Sequence, residues 1–285
     1  MEDSVDERVL TRVIPSVATS DGAGVKLRRS LGSEPDARLD PFLLLDEFGT
    51  ENPEDYIAGF PPHPHRGFET VTYMLDGHMR HEDHLGNVGE LTEGAVQWMS
   101  AGRGVIHSEM PQQKEGRMRG FQLWVNLPAN EKMKSAAYRD IPADAIPRVN
   151  GEAGWVKVIA GTYAADGVST EGPIGGLTTE PIFFDVGLVA DKHFECELPS
   201  FHNACIYSYE GSVTVAGEPL PGQSAGILAA GNRLRIEAVG APARFIVLAG
   251  RPLNEPVVQQ GPFVMNTREE IEQAIRDYRD GTLVG

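Results

Sequence analysis

The sequence predicts an all-β fold of two β-barrel domains with one C-terminal helix. Three observations support this prediction. Short runs rich in β-branched and aromatic residues alternate with turn signals, one strand-and-turn pattern occurs in both halves, and residues 267–281 have helical periodicity. Many short strands at such spacing are typical of barrels and sandwiches, whereas a period of 3.6 residues indicates an amphipathic helix.

The predicted strands fall into two series. Each run lies between turn signals, such as Asp76-Gly77 and Gly86-Asn87 in the first half of the chain. The first series comprises residues 70–75, 95–99 and 120–127, and the second comprises residues 155–161, 182–189, 204–211, 212–217 and 243–250.

The two series resemble each other, and a segment of different composition separates them. "YMLDG" (73–77) and "YSYEG" (207–211) are each followed by a hairpin-like stretch and a glycine turn, which predicts a duplicated β unit. Residues 128–150 are polar and contain three prolines, as expected of a linker. The predicted organisation is a first domain (1–135), a linker (136–150) and a second domain (151–285).

The helix is predicted from its capping residues and its apolar face. Thr267 is a typical N-cap, and Glu270 three residues later completes a capping box. Gly281 suits the position that follows the last helical residues. The predicted apolar face, which we expect to pack against a barrel, consists of Ile271, Ala274, Ile275 and Tyr278.

The composition excludes several classes of protein. Lys and Arg number 25 and Asp and Glu number 41, so the net charge is −16, which opposes direct binding to a phosphate backbone. The sequence has no run of about 18 apolar residues, so no membrane span is predicted. The acidic N-terminus lacks a signal segment. We therefore expect a cytoplasmic protein, or a nuclear one in a eukaryote. Cys196 and Cys205 are expected to be buried, reduced thiols.

Two short motifs predict a metal site. His63 and His65 are two residues apart in "PPHPHRG", and His107 and Glu109 are two residues apart in "HSEM". Residues i and i+2 of an extended segment share one face. Two such pairs on neighbouring strands would place three imidazoles and one carboxylate around one point. This combination predicts a four-ligand metal site with nitrogen and oxygen donors and no thiolate.

Glu69 is the alternative fourth ligand. In a straight strand it would lie about 13 Å from His65, too far to share an ion, although a bulge at Gly67 would change this distance. The remaining histidines are interpreted as surface or core residues, with a role at the rim of the site left open for two of them, His81 and His84. These remaining histidines are His78, His81, His84, His193 and His202.

Residues 60–111 resemble the signature of the pirin family, within the cupin superfamily. The stretch begins "FPPHPHRGFETVTYMLDG" and ends "QWMSAGRGVIHSEMP". The resemblance implies two cupin (jelly-roll-like) β-barrels with one mononuclear metal in the N-terminal barrel, bound by His63, His65, His107 and Glu109. It also places a cation, Arg66, beside the site. The chain departs from many pirins at Ala95, where we expect an altered turn and no lost ligand.

The same resemblance implies the chemistry. Fe(II) is the favoured metal, and the ligand types also suit manganese, cobalt, nickel and copper. The implied activity is that of a quercetin 2,3-dioxygenase acting on a flavonol-like substrate with O₂, with Glu109 and Arg66 as catalytic residues. One alternative is a non-enzymatic, iron- or redox-dependent regulator that binds a transcription factor or a metabolic enzyme. Another is a cupin whose metal is only structural. The C-terminal half has neither His-x-His nor His-x-Glu, so no metal is expected there.

Overall fold

The computed structural model of the protein describes residues 6–34, 36–165 and 167–284. Short strands dominate the first half of the chain, as the sequence predicts. These strands are β1 (Leu10–Pro15), β2 (Val17–Asp21), β3 (Val25–Arg29), β4 (Phe42–Thr50), β5 (Phe60–His65), β6 (Phe68–Asp76), β7 (Met79–Asp83), β8 (Val88–Leu91), β9 (Val96–Ser100), β10 (Val105–Pro111), β11 (Met118–Asn126), β12 (Ala137–Ile141) and β13 (Arg148–Gly151).

The second half adds thirteen strands and the helix α1 (Arg268–Arg279). The strands are β14 (Gly154–Ala160), β15 (Thr162–Ala165), β16 (Val168–Glu171), β17 (Ile182–Leu188), β18 (His193–Glu197), β19 (Asn203–Glu210), β20 (Val213–Val215), β21 (Glu218–Leu220), β22 (Ser224–Leu228), β23 (Arg233–Ala238), β24 (Ala243–Gly250), β25 (Val258–Gln260) and β26 (Phe263–Met265). Short 3₁₀ turns occur at Pro53–Asp55, Ala129–Glu131 and Ala143–Ala145. Among the described residues, no helix has both the length and the apolarity to cross a membrane.

The described residues form two compact units built from discontinuous segments. The first unit comprises residues 17–32, 42–143 and 253–285, and the second comprises residues 1–16, 33–41 and 144–252, apart from the positions outside the description. The change from one unit to the other at residue 144 lies inside the predicted linker. The predicted continuous domains, 1–135 and 151–285, differ from these units at both ends of the chain. Each terminal segment packs with the half of the sequence that is remote from it.

Both units have the same sheet composition. In the described part of the first unit, a seven-stranded sheet has the order β12-β9-β6-β11-β4-β3-β2, and a four-stranded sheet has the order β5-β10-β7-β8. The second unit repeats these sizes with the orders β1-β22-β19-β24-β17-β14-β13 and β18-β23-β20-β21. Each unit also contains one two-stranded ribbon, β25-β26 or β15-β16. The repetition agrees with the duplicated β unit predicted from sequence.

The predicted linker is more regular than expected. Residues 137–141 form β12, which pairs with β9 at the edge of the seven-stranded sheet, and residues 148–151 form β13, which pairs with β14. An edge strand exposes one face and one row of backbone groups to water, so its sequence is more polar than that of a central strand. The polar composition of this segment therefore fits two edge strands, and the change from one compact unit to the other still falls within it.

The helix has the predicted cap and most of the predicted face. The Thr267 side chain accepts from the Glu270 backbone N–H, and the Glu270 carboxylate accepts in return from the Thr267 backbone. Ile271 and Ala274 are buried, as expected, against a cluster from the first unit. Tyr278 is 44% exposed, and its ring packs against Phe263 of the same cluster with the ring centroids 6.3 Å apart.

The second unit is filled by apolar side chains, and its two cysteines are buried among them. Cys196 and Cys205 are free thiols, as predicted. Burial raises the pKa of Cys205 to about 12 and that of Cys196 further still. Because the thiolate is the reactive form of cysteine, these residues are chemically inert.

Candidate metal centre and its pocket

Strands β5 and β10 bring three predicted metal ligands together. The strands are antiparallel neighbours, and His107 is the direct partner of His63 in their register. His65, two residues after His63, shares its face. One ring nitrogen from each of these imidazoles lies within 4.8 Å of the others. The edge position of β5 accommodates the three prolines of "PPHPH", because an edge strand can lack backbone donors.

The hydrogen bonds of two imidazoles suit metal binding through Nε2. His63 Nδ1 lies 2.8 Å from the Pro61 carbonyl oxygen, so it donates its proton there and leaves a lone pair on Nε2. His107 Nδ1 lies 2.9 Å from His81 Nε2, and His107 Nε2 lies 2.9 Å from His63 Nε2. Outer partners of this kind fix the tautomer and ring orientation of metal-binding histidines. The donor set therefore fits a divalent first-row metal.

Burial favours the neutral form of His65 and His107. Desolvation lowers the pKa of His107 well below the usual value of 6.5, and the neighbouring histidines lower it further. Desolvation also lowers the pKa of His65 well below this value, although the Pro262 carbonyl opposes the shift. The neutral imidazole is the form that binds metal.

Glu109 lies in the same pocket as the histidines. Its side chain is buried, and the register of β10 against β5 shifts between His107 and Glu109. One carboxylate oxygen accepts a hydrogen bond of 2.8 Å from the Thr72 hydroxyl, and the other accepts one of 3.4 Å from the Gln122 amide. The closest cluster consists of the three imidazoles alone, and Glu109 lines the same cavity beside them. Its role as fourth ligand stays a prediction.

Arg66 does not occupy the predicted position beside the site. Its guanidinium donates to the Asp277 carboxylate at 2.7 Å, to the Leu283 carbonyl at 3.5 Å and to the Arg103 carbonyl. Successive side chains of an extended segment point to opposite faces, so Arg66 points away from the face of its neighbour His65. Arg66 therefore pairs with a residue of helix α1, and its catalytic role stays a prediction.

The alternative ligand Glu69 is engaged elsewhere. Trp98 donates its indole N–H to the Glu69 carboxylate at 2.9 Å, and the Lys134 ammonium lies 3.5 Å from the same carboxylate. Burial raises the pKa of Glu69. Its side chain does not line the pocket of the histidines. Ala95 is buried directly before β9 and is not a lining residue either.

His81 is a residue of this centre that sequence reasoning missed. The composition of "HEDHLG" indicated a turn, but His81 lies on β7 and is fully buried. Its backbone is the direct partner of Glu109 across the β7–β10 pair. The signal that could have identified it is the alternation along β7, where Met79 and His81 are both buried. Of the other histidines, His84 accepts a hydrogen bond of 3.4 Å from the Ile106 backbone and lies outside the cluster.

The pocket beside the imidazoles is large and mainly apolar. Its volume is about 650 Å³, which is within the range of cavities that bind drug-sized molecules. A few polar side chains interrupt this apolar lining. The apolar wall consists of Leu27, Leu44, Phe48, Phe60 and Trp124, and the polar lining includes Arg29, Asp46, His63, His65, Glu109 and Gln122.

Comparison with known proteins gives the family. The pirin family model matches residues 24–125, and the model of the pirin C-terminal cupin domain matches residues 183–284. A Pseudomonas aeruginosa protein with the provisional name quercetin 2,3-dioxygenase is 56% identical over 274 residues, which cover 93% of this chain and 94% of that protein. Human pirin is 39% identical over 277 residues, which cover 95% of this chain and 92% of human pirin.

A solved structure supports the same assignment. The crystal structure of quercetin 2,3-dioxygenase from Acinetobacter baumannii superposes with a TM-score of 0.89 at 33% sequence identity. The match covers 98% of this chain and 99% of that one. Both barrels of the present structure are therefore cupin domains. On the family models, the relatives and the fold together, the chain belongs to the pirin family.

Proposed function

We propose that this protein is a mononuclear metal-dependent dioxygenase that cleaves the ring of a flavonol-like substrate. One observation carries the proposal: three imidazoles, of which two are deeply buried and neutral, converge beside a pocket that could enclose a planar aromatic molecule. The names of the bacterial relative and of the Acinetobacter structure support the same activity. The metal would be held by His63, His65, His107 and Glu109.

Fe(II) is the proposed metal. Imidazole and carboxylate donors suit iron, manganese, cobalt, nickel and copper alike, and iron is favoured by resemblance to the family. When bound, the ion would supply a Lewis acid that stabilises the anionic form of a substrate hydroxyl. Side chains of the protein would bind the substrate and accept its proton.

Glu109 is the proposed base. Its carboxylate is within the pocket, and it is oriented by the Thr72 hydroxyl at 2.8 Å and by the Gln122 amide at 3.4 Å. It would move off the metal to accept the proton that a phenolic hydroxyl releases on binding. Phe48, Phe60 and Trp124 line the pocket and would hold the aromatic rings and exclude water from the reacting carbon atoms.

O₂ uptake and carbon monoxide release with quercetin and iron-loaded protein test the proposal. We expect both signals from the unchanged protein, none above background from His63→Ala, and a rate lowered by a factor of about 100 or more in Glu109→Gln. Metal analysis of each variant separates loss of iron from loss of chemistry. Iron binding without turnover would overturn the proposal and favour the regulatory alternative. In that case, a pull-down that compares Fe(II) and Fe(III) protein would test for redox-dependent partner capture.

A further inference from the structure

A row of polar side chains crosses the seven-stranded sheet of the first unit. Arg29, Asp46, Gln122 and Thr72 lie on four adjacent strands, and each is the direct partner of the next in the sheet register. Residues opposite each other on paired strands share one face of the sheet. Thr72, at one end of the row, donates to Glu109 at 2.8 Å. The row thus begins beside the proposed base and extends across four neighbouring strands.

Apolar side chains flank this row on both sides. Leu44, two residues before Asp46, pairs directly with Trp124, two residues after Gln122. Leu27 and Phe48 are direct partners on the other side of the row. All four side chains line the pocket. The pocket therefore presents two apolar bands separated by a polar line, a surface that suits a flat aromatic molecule with hydroxyl groups on its edges.

The far end of the row is a buried ion pair with free acceptor capacity. Asp46 is 3% exposed and receives two hydrogen bonds of 2.7 Å from the Arg29 guanidinium, one on each carboxylate oxygen. A carboxylate accepts about four hydrogen bonds, so this geometry leaves acceptor positions on a side chain that lines the pocket. The Arg29 nitrogen that donates to one of these oxygens also donates to the Asp21 carboxylate at 3.0 Å.

The Arg29–Asp46 pair lies at a distance from Gln122 and Glu109 that a ligand with several rings can span. Neighbouring strands are about 5 Å apart, so Asp46 lies about 5 Å and Arg29 about 10 Å from Gln122 along the row. Gln122 itself contacts Glu109. A molecule bound at the histidines by one ring could therefore reach Asp46 with a ring at its other end.

We propose that the Arg29–Asp46 pair is a second recognition point of the pocket, which binds hydroxyl groups on the pendant ring of the substrate. The Asp46 carboxylate accepts from a phenolic O–H, and Arg29 fixes the orientation of that carboxylate. The inference rests on the proposed function, because it assumes that the opposite end of the substrate is a ring bound at the histidines. It adds to that function the residues that would give a preference for flavonols hydroxylated on the pendant ring.

Anaerobic binding of two flavonols tests the inference without turnover. One flavonol has adjacent hydroxyls on its pendant ring, and the other has none and is otherwise identical. Isothermal titration calorimetry measures the affinity of each flavonol for three iron-loaded proteins: the unchanged protein, Asp46→Asn and Asp76→Asn. Asp76→Asn is the control, because it removes the same charge from the same unit. Asp76 forms an exposed ion pair with Arg117 at 3.5 Å and does not line the pocket.

We expect the unchanged protein and Asp76→Asn to bind the hydroxylated flavonol roughly tenfold more tightly than its analogue, as a hydrogen bond to a charged group would predict. In Asp46→Asn the preference should fall to within about twofold, with the affinity for the analogue unchanged. An equal affinity of the unchanged protein for both ligands would overturn the inference even if Asp46→Asn fails to fold. So would a preference that persists in Asp46→Asn.

The same samples separate this inference from the proposed function. Admission of O₂ to the unchanged protein shows whether the bound flavonol is cleaved. Cleavage without a hydroxyl preference overturns only the role of the Arg29–Asp46 pair. A hydroxyl preference that depends on Asp46, without cleavage, overturns only the dioxygenase proposal and supports a flavonol-binding site.

Discussion

The Nε2 atom of His81 lies 2.9 Å from Nδ1 of His107, so one buried imidazole orients another that belongs to the candidate metal centre. If His107 binds the metal through Nε2, its Nδ1 carries the proton and donates it to His81. Hydrogen bonds of this kind raise the basicity of the ligand and hold its ring in position. The candidate metal centre therefore includes a fourth histidine, on strand β7.

Replacement of His81 by Phe should weaken metal binding. The substitution keeps a planar ring in the buried position and removes the acceptor that fixes His107. We expect a 10- to 100-fold loss of affinity for Fe(II), which is about the effect of removing such outer partners elsewhere. Competition with a chelator of known affinity measures it. His84→Phe, three residues further along and outside the cluster, is the matched control, and an equal loss in both variants would contradict the role of His81.

Metal should stabilise the folded protein through the three imidazoles. The Nε2 atoms of His63 and His107 are 2.9 Å apart, so without an ion two lone pairs face each other when both rings are protonated on Nδ1. We expect the melting temperature to rise with Fe(II) concentration, by the equivalent of about 2.7 kcal/mol at 100 times Kd. Differential scanning calorimetry measures the shift. It should vanish in His65→Ala and persist in His193→Ala, and its persistence in His65→Ala would refute this assignment.

Loss of the carboxylate of Asp277 should loosen helix α1. Arg66 is 4% exposed and makes its 2.7 Å ion pair with Asp277, which in turn lowers the pKa of that carboxyl. Asp277→Ala leaves a buried guanidinium without its counter-charge, at a cost of about 2 kcal/mol. Denaturant unfolding gives the value. Asp280→Ala, which removes an exposed ion pair with Arg279, should change stability by less than about 0.5 kcal/mol. Equal changes in stability in the two variants would contradict a stabilising role for the Arg66–Asp277 ion pair.

The buried amine of Lys132 should make stability depend on pH in the alkaline range. Its ammonium donates to the Asn126 side chain at 2.6 Å, to the Gly67 carbonyl at 2.7 Å and to the Val264 carbonyl at 3.2 Å. Burial nevertheless lowers its pKa from 10.5 to about 8. Between these values the unfolded chain holds a proton that the folded protein has released, so stability rises with pH there.

Comparison with Lys132→Met isolates this contribution. The difference in unfolding free energy between the unchanged protein and the variant should rise by about 3 kcal/mol from pH 8 to pH 10.5. Urea denaturation at several pH values measures the difference. Lys192→Met, at an exposed position, controls for the general loss of one lysine. A difference that stays constant with pH would mean that Lys132 is not desolvated in the folded protein.

The sequence predicted those features that depend on local spacing. The alternation of strand side chains was sufficient to pair His63 with His65, and β10 meets β5 in the register that brings His107 to them. Partners remote in sequence could not be inferred in this way. Arg66 finds its carboxylate 211 positions away at Asp277, and nothing in the local motif indicates that contact. His81 was missed because its neighbours have the composition of a turn, whereas the pairing of β7 with β10 makes them a strand.

The discontinuous units have a consequence for synthesis of the chain. Residues 253–284 supply β25, β26 and α1 to the unit that contains the candidate metal centre, although its histidines are encoded much earlier. Domains of a growing chain generally fold as units, N-terminal first. Here the first unit is complete only after residues 253–284 have been synthesised. Until Asp277 has been added, Arg66, the residue that directly follows "HPH", lacks its carboxylate partner, so the strand that carries His63 and His65 is not yet tied to helix α1.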